Sequence, residues 1–192
     1  MNPSLIVSYS YSGNTHQIAQ KLQEVISGDW CEIHPRQPYP MAFPELLEQA
    51  KREIRTGYYP QLLPGASSPR PYPIIFAGCP DWCGTIAPPL ASWLHRNDLS
   101  GKIILPFYSY CGGAVGNIRK DIAKLCPKAD IREPLGIVDD GGEQLGKMLQ
   151  QWIIRAGITD ELVPLGKAES GLEVLSSKTE DFTGTLELME TE

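Results

Sequence analysis

The chain reads as an α/β protein built on a parallel sheet with helices on both faces. Two observations predict this. Short apolar runs alternate five times with amphipathic segments of helical period, and right-handed βαβ crossovers place such helices on both sides of a sheet. The run "YPIIFAG" (72–78) is apolar throughout its centre, as a strand buried on both faces must be.

Each element has its own signature. "SLIVSYS" (4–10) is a bulky run followed by turn residues, the first strand. "NTHQIAQKLQEVISG" (14–28) places Ile18, Leu22, Val25 and Ile26 on one face, with Gly28 as the expected stop. "WCEIHP" (30–35) is the second strand. "PELLEQAKREIRTG" (44–57) opens with proline and closes with glycine, as helices do, and its "KREIR" reads as a solvated face. After the third strand (72–78) come a helix "PPLASWLHRND" (88–98) and a fourth strand "KIILPFYS" (102–109). "AVGNIRKDIAKLCP" (114–127), "DIREPLGI" (130–137) and "GEQLGKMLQQWIIRAG" (142–157) supply a helix, the fifth strand and the last helix. These elements make one domain over 1–157. Residues 158–192 form a polar, acidic C-terminal extension. Composition alone makes such a segment a disordered tail. Weak alternation at 172–175 and 182–188 suggests instead an added hairpin on this or a neighbouring subunit.

Composition narrows the function. The chain has 192 residues, 42% hydrophobic and 21% charged, the balance of a soluble globular domain. Its net charge of −6 argues against nucleic acid, whose phosphates need clustered Lys and Arg, and suits a basic protein partner. The first ten residues lack the charged and apolar regions of a signal peptide, and no apolar run is long enough to span a membrane. The five cysteines form no CxxC pair and have no histidine cluster beside them, so we expect no metal site, reduced thiols and a cytoplasmic protein.

In an open parallel sheet, ligands bind beyond the carboxyl ends of the strands. The loop "SYSYSGNT" (8–15) lies at the end of the first strand and enters a helix, where backbone N–H groups and the helix dipole receive an anion without a cationic side chain. Ser10, Ser12 and Thr15 add hydroxyls, Asn14 an amide, and Gly13 permits close backbone approach. A plain helix cap by Ser12 or Asn14 needs only one of these residues. The run as a whole, Tyr11 included, fits a phosphate monoester.

This loop resembles the phosphate-binding loop of flavodoxins, of the form Thr/Ser-x-Thr/Ser-Gly-x-Thr, matched here by Ser10, Ser12, Gly13 and Thr15. "GCPDWCGTIAPP" (78–89) and "PFYSYCGGAVG" (106–116) resemble the two loops that flank the flavin ring in that family. The resemblance covers about residues 4–157. It implies a three-layer flavodoxin-like fold with strand order 2-1-3-4-5, FMN as cofactor, and ring contacts from Pro80, Asp81, Trp82, Cys83, Gly84, Ser109, Tyr110, Cys111, Gly112 and Gly113.

The residues of these later loops have a physical reading of their own. Trp82 and Tyr110 end apolar strands at the sheet's carboxyl edge, suited to covering a flat ring, or, for Trp82, to packing on the Pro88–Pro89 turn. Gly112 and Gly113 let the backbone approach a ring edge. Cys83 stands where related long-chain members often carry a second tryptophan. With Cys111 it makes either a thiol pair near the ring or two small space-filling residues. "CGGAVGNIR" lacks the Cys-x5-Arg of phosphate-cleaving cysteine loops, because Asn117 holds the position of the arginine. His16 either supports the phosphate or is an exposed surface residue.

The resemblance leads first to an electron carrier that passes electrons from FMN to protein partners, with no catalytic residue of its own. The alternative is an FMN-dependent NAD(P)H quinone or nitro reductase, an oxidoreductase with a pocket for a small substrate. In that reading the Pro-rich "PYPMAFPELL" stretch (38–47) and the tail build the pocket or a homodimer interface. A flavin-free binding module is the third reading.

Overall fold

A computed structural model describes residues 3–112, 116–159 and 162. The elements run β1 (Ser4–Ser8), α1 (Asn14–Ile26), β2 (Asp29–Glu32), α2 (Phe43–Thr56), β3 (Ile74–Trp82), β4 (Thr85–Ile86), α3 (Pro88–Arg96), β5 (Ile103–Tyr110), α4 (Ile118–Leu125), β6 (Asp130–Ile131), β7 (Leu135–Val138) and α5 (Leu145–Arg155). The parallel sheet has the order β2-β1-β3-β5, and its last position is shared by β6 and β7. This is the 2-1-3-4-5 order, with the fifth strand broken in two around Pro134. The break follows from proline, which lacks the N–H a ladder needs.

Side-chain alternation sorts the core into two layers. Ile6, Ile74, Phe76, Leu105 and Phe107 point to α1 and α5, where Ile18, Leu22, Leu149 and Trp152 cover them. Leu5, Val7, Ile75, Ala77 and Ile104 point to the opposite side, under Leu46 of α2, Leu90 and Leu94 of α3, and Ile122 of α4. The three central strands are therefore buried on both faces, as their unbroken apolar runs require.

Several boundaries differ from the sequence expectation. Helix α1 stops at Ser27, which adopts a left-handed φ of 52° and donates its N–H to Gln23 O. Gly28 is needed for a different reason: a Cβ there would lie 2.6 Å from Ser4 Oγ. Strand β3 continues four residues further than expected and pairs antiparallel with β4, so Pro80, Asp81 and Trp82 end a strand rather than lie in a loop. The last helix begins as a turn of 3₁₀ helix at Gly142–Gln144. "KREIR" is not wholly solvated, since Glu53 within it is buried. Packing on the α1–α5 face reaches beyond Gly157 to Ile158 and Leu162. The remainder of the acidic extension, with the expected hairpin, lies outside the described residues. No described helix is long and apolar enough to cross a membrane.

Candidate functional site

Three loops meet at the carboxyl ends of β1, β3 and β5. The first enters α1 through Gly13, whose φ of 97° is the left-handed conformation that favours glycine. Gly13 N–H donates to Ser10 Oγ at 3.1 Å, which folds the loop back on itself. No side chain caps α1, and its first turn holds no acidic residue. The plain-cap reading of Ser12 and Asn14 is thereby removed. Ser12 is exposed and Asn14 half-buried, so the open end of the helix keeps uncommitted donors. Thr15 is buried and shares a 2.8 Å hydrogen bond with Ser109 Oγ of β5, tying the first loop to the third. Tyr11 Oη donates to Pro40 O at 2.7 Å and fixes the loop to the segment before α2.

The second loop is a hairpin that sequence reasoning missed. Trp82 pairs with Thr85 across a two-residue turn, Cys83-Gly84, whose φ values of 56° and 79° are those a type I′ turn requires. The residues usual there are Asn-Gly or Asp-Gly, so a Cys-Gly pair gave no signal. Asp81 holds the turn from beneath: Gly84 N–H donates to Asp81 Oδ1 at 2.7 Å, and the N–H groups of Thr85 and Gly116 also reach its carboxyl. Burial raises the Asp81 pKa above the ordinary carboxylate range, against the downward pull of those three N–H groups. Asn117 N–H in turn donates to Gly84 O at 2.9 Å. Gly116 cannot be larger, because a Cβ there would lie 2.3 Å from Gly84 O. The second and third loops are thus clamped together through backbone.

Trp82 packs among aromatic side chains. It is half-buried in an aromatic cluster, with ring centroids 5.6 Å from Tyr9, 6.0 Å from Tyr11 and 4.8 Å from Tyr39, all edge-on. Sequence reasoning gave neither Tyr9 nor Tyr39 this role; Tyr39 lies in the Pro-rich stretch 38–47. In the third loop, Tyr110 is half-buried beside Tyr108, and Cys111 and Gly112 are exposed. Gly113 lies outside the described residues. Cys83 is exposed as well, while Cys31, Cys79 and Cys126 are buried. His16 leaves the opening loop: its Nδ1 lies 3.0 Å from Glu32 Oε2 and its ring against Trp30.

With this geometry established, the chain can be placed among known proteins. The family model described as Flavodoxin matches residues 4–154, and the chain belongs to that family. Among solved structures, a protein of Bacteroides eggerthii assigned as a flavoprotein superposes with a TM-score of 0.71 at 22% identity, over 82% of this chain and 99% of that one. A second, from Bacteroides uniformis, gives 0.69 at 20% identity, over 78% and 98%. A flavoprotein of Lactobacillus acidophilus, solved in complex with FMN, gives 0.65 at 18% identity, over 79% and 99%. At these identities the structures show a shared fold. No curated protein matches the sequence significantly.

Proposed function

We propose that this protein binds FMN across the three loops and carries electrons to a protein partner. The uncapped end of α1 is the observation that supports this most directly. A 13-residue helix directs free N–H groups and its dipole towards the hydroxyls of Ser10, Ser12 and Thr15, with no acidic residue in its own first turn to repel an anion. The phosphate would be held by these residues with Gly13 and Asn14. The ring would lie between Pro80–Gly84 and Ser109–Gly112. When bound, FMN supplies a ring that takes up and releases electrons singly or in pairs.

The chain's own residues do the rest. The Thr15–Ser109 bond and the Gly84–Asn117 bond tie the three loops to one another, and loops so held lose less freedom on binding. Cys83 at the tip of its turn and Cys111 are exposed, so the loops reach the surface where a partner docks. A net charge of −6 suits steering of a basic partner, as redox encounters favour. Five free thiols suit a reducing, cytoplasmic setting.

A reductase is the second reading, favoured by a cleft of about 910 Å³ whose wall includes Tyr39, the neighbour of Trp82. The visible absorption spectrum of the purified protein, or of its titration with FMN, tests the cofactor. Assays of NAD(P)H oxidation with quinones separate the two readings. Turnover without a protein partner would favour the reductase.

A further inference from the structure

The cleft beside α2 has a composition unlike the rest of this acidic molecule. Arg36 and Arg52 both line it, and neither forms an ion pair among the described residues. Opposing them is one carboxylate, Glu53, which is 6% exposed and accepts hydrogen bonds from Tyr39 Oη at 2.5 Å and Gln49 Nε2 at 2.9 Å. Two cations against one satisfied anion leave the cleft positive. Tyr39 and Tyr58 supply aromatic walls, and Tyr58 keeps 52% of its surface bare.

The cleft is also built rather than incidental. Pro35 and Leu62 form an antiparallel bridge, with Arg36 N–H donating to Gln61 O at 2.7 Å and Leu63 N–H to His34 O at 2.8 Å. That ladder fixes the backbone carrying Arg36 opposite helix α2, which carries Arg52 and Glu53. At about 910 Å³ the space is of the size that small-molecule sites occupy. Guanidinium forks match the oxygens of a carboxylate or phosphate, and tyrosine faces match a planar ring.

We infer that this cleft binds an aromatic anion, a planar ring bearing a carboxylate or phosphate, as a second ligand next to the flavin-binding end. The tie is Tyr39, which lines the cleft, hydrogen-bonds Glu53, and sets its ring 4.8 Å from that of Trp82. The placement relative to the flavin rests on the proposed FMN site; the ligand chemistry of the cleft does not.

Calorimetric titration of the FMN-supplemented protein with 4-hydroxybenzoate and with adenosine 2′,5′-bisphosphate tests this, with phenol and adenosine as neutral counterparts. Guanidinium–anion pairing should make at least one anion bind at least about tenfold more tightly than its counterpart. Which anion binds tells the carboxylate source from the phosphate source. The double variant Arg36→Gln/Arg52→Gln should lose about tenfold or more of that affinity while binding FMN as before, and Tyr58→Ala should weaken it as well. Both arginines are exposed, so the variant should fold. Failure of both anions to bind, or equal binding by the neutral compounds or by the double variant, would overturn the inference. Loss of the FMN reading would register separately, as failure of the protein to bind FMN at all.

Discussion

Thr15 Oγ1 and Ser109 Oγ lie 2.8 Å apart, buried between the first and third loops and separated by 94 residues of sequence. The hydroxyl that the opening motif offers to a phosphate is therefore also a structural link to β5. Thr15→Val removes it at nearly constant volume. A hydrogen bond to a charged group contributes about 1.5–3 kcal/mol, so FMN affinity should fall roughly tenfold to a hundredfold. Riboflavin, which has no phosphate, should lose much less. Because Ser109 is left without this partner, the melting temperature should also drop by a few degrees, in keeping with a cost of about 1 kcal/mol. Equal losses for both ligands would count against a phosphate cradle.

Trp82 has a different double role. Its ring is met edge-on by Tyr9, Tyr11 and Tyr39, so Trp82→Ala should cost about 2 kcal/mol of stability, less than a fully buried tryptophan would. It should also weaken FMN by about 1 kcal/mol or more through lost ring contact. Tryptophan emission should be quenched on adding FMN, and part of that quenching should be absent in Trp82→Phe. Emission from Trp82 that ignores FMN would place the ring elsewhere.

The thiols give two further tests, the first on the unmodified protein. Cys83 and Cys111 are exposed and should react with a thiol reagent in the native protein, whereas Cys31, Cys79 and Cys126 should react only on unfolding. Bound FMN should slow both reactive thiols if their loops flank the ring. Burial pushes Cys79 up from an ordinary 9.0 to about 12 and Cys126 to about 11. Both folded-state values are raised, so these groups stabilise the fold fully below pH 9, where both states hold the proton. Above it the unfolded state releases protons that the folded state retains, and stability falls as pH rises towards 11 and 12. The slope should be on the order of 1 kcal/mol per pH unit for each thiol. Urea denaturation across that range, with Cys79→Ala as the flatter comparison, measures it.

Much of this architecture was legible because it is periodic. The apolar runs gave five strand positions, and the run at 8–15 gave the open end of α1. What escaped depends on contacts between distant residues. Glu53 looks solvated in its own helix, and its burial comes with Tyr39, folded over from the preceding loop to donate to its carboxylate. The Cys83-Gly84 turn lacks the usual Asn or Asp before its glycine, and Asp81 holds it from below by accepting the Gly84 N–H. The run 130–137 reads as one strand, and the structure breaks it in two around Pro134. Gly116 matters through a backbone contact with Gly84 that no local pattern encodes.

The turn at Cys83-Gly84 bears on the last prediction, which concerns how electrons are taken up. Fully reduced FMN is anionic at neutral pH, and a negative charge about 8 Å away at an effective dielectric of about 20 opposes it by roughly 2 kcal/mol before salt screening. Asp81, at the end of β3 in the hairpin proposed to flank the ring, is such a charge whenever ionised. Asp81→Asn should therefore raise the potential of the second electron. The resemblance to flavodoxins further implies that the Cys83 carbonyl turns towards the ring on the first reduction. Turning that peptide would break the 2.7 Å hydrogen bond from Gly84 N–H to Asp81 Oδ1, and Gly84 holds the present turn at positive φ. Gly84 sits at φ 79°, where a β-branched side chain is strained, so Gly84→Val should displace the turn and the carbonyl it presents and narrow the gap between the two one-electron potentials. Potentiometric titration of the unmodified protein and the two variants reads both effects. Two well-separated one-electron steps, with the second shifted upward in Asp81→Asn and the gap reduced in Gly84→Val, fit a carrier. A single two-electron step in the unmodified protein would instead mark an enzyme that accepts hydride.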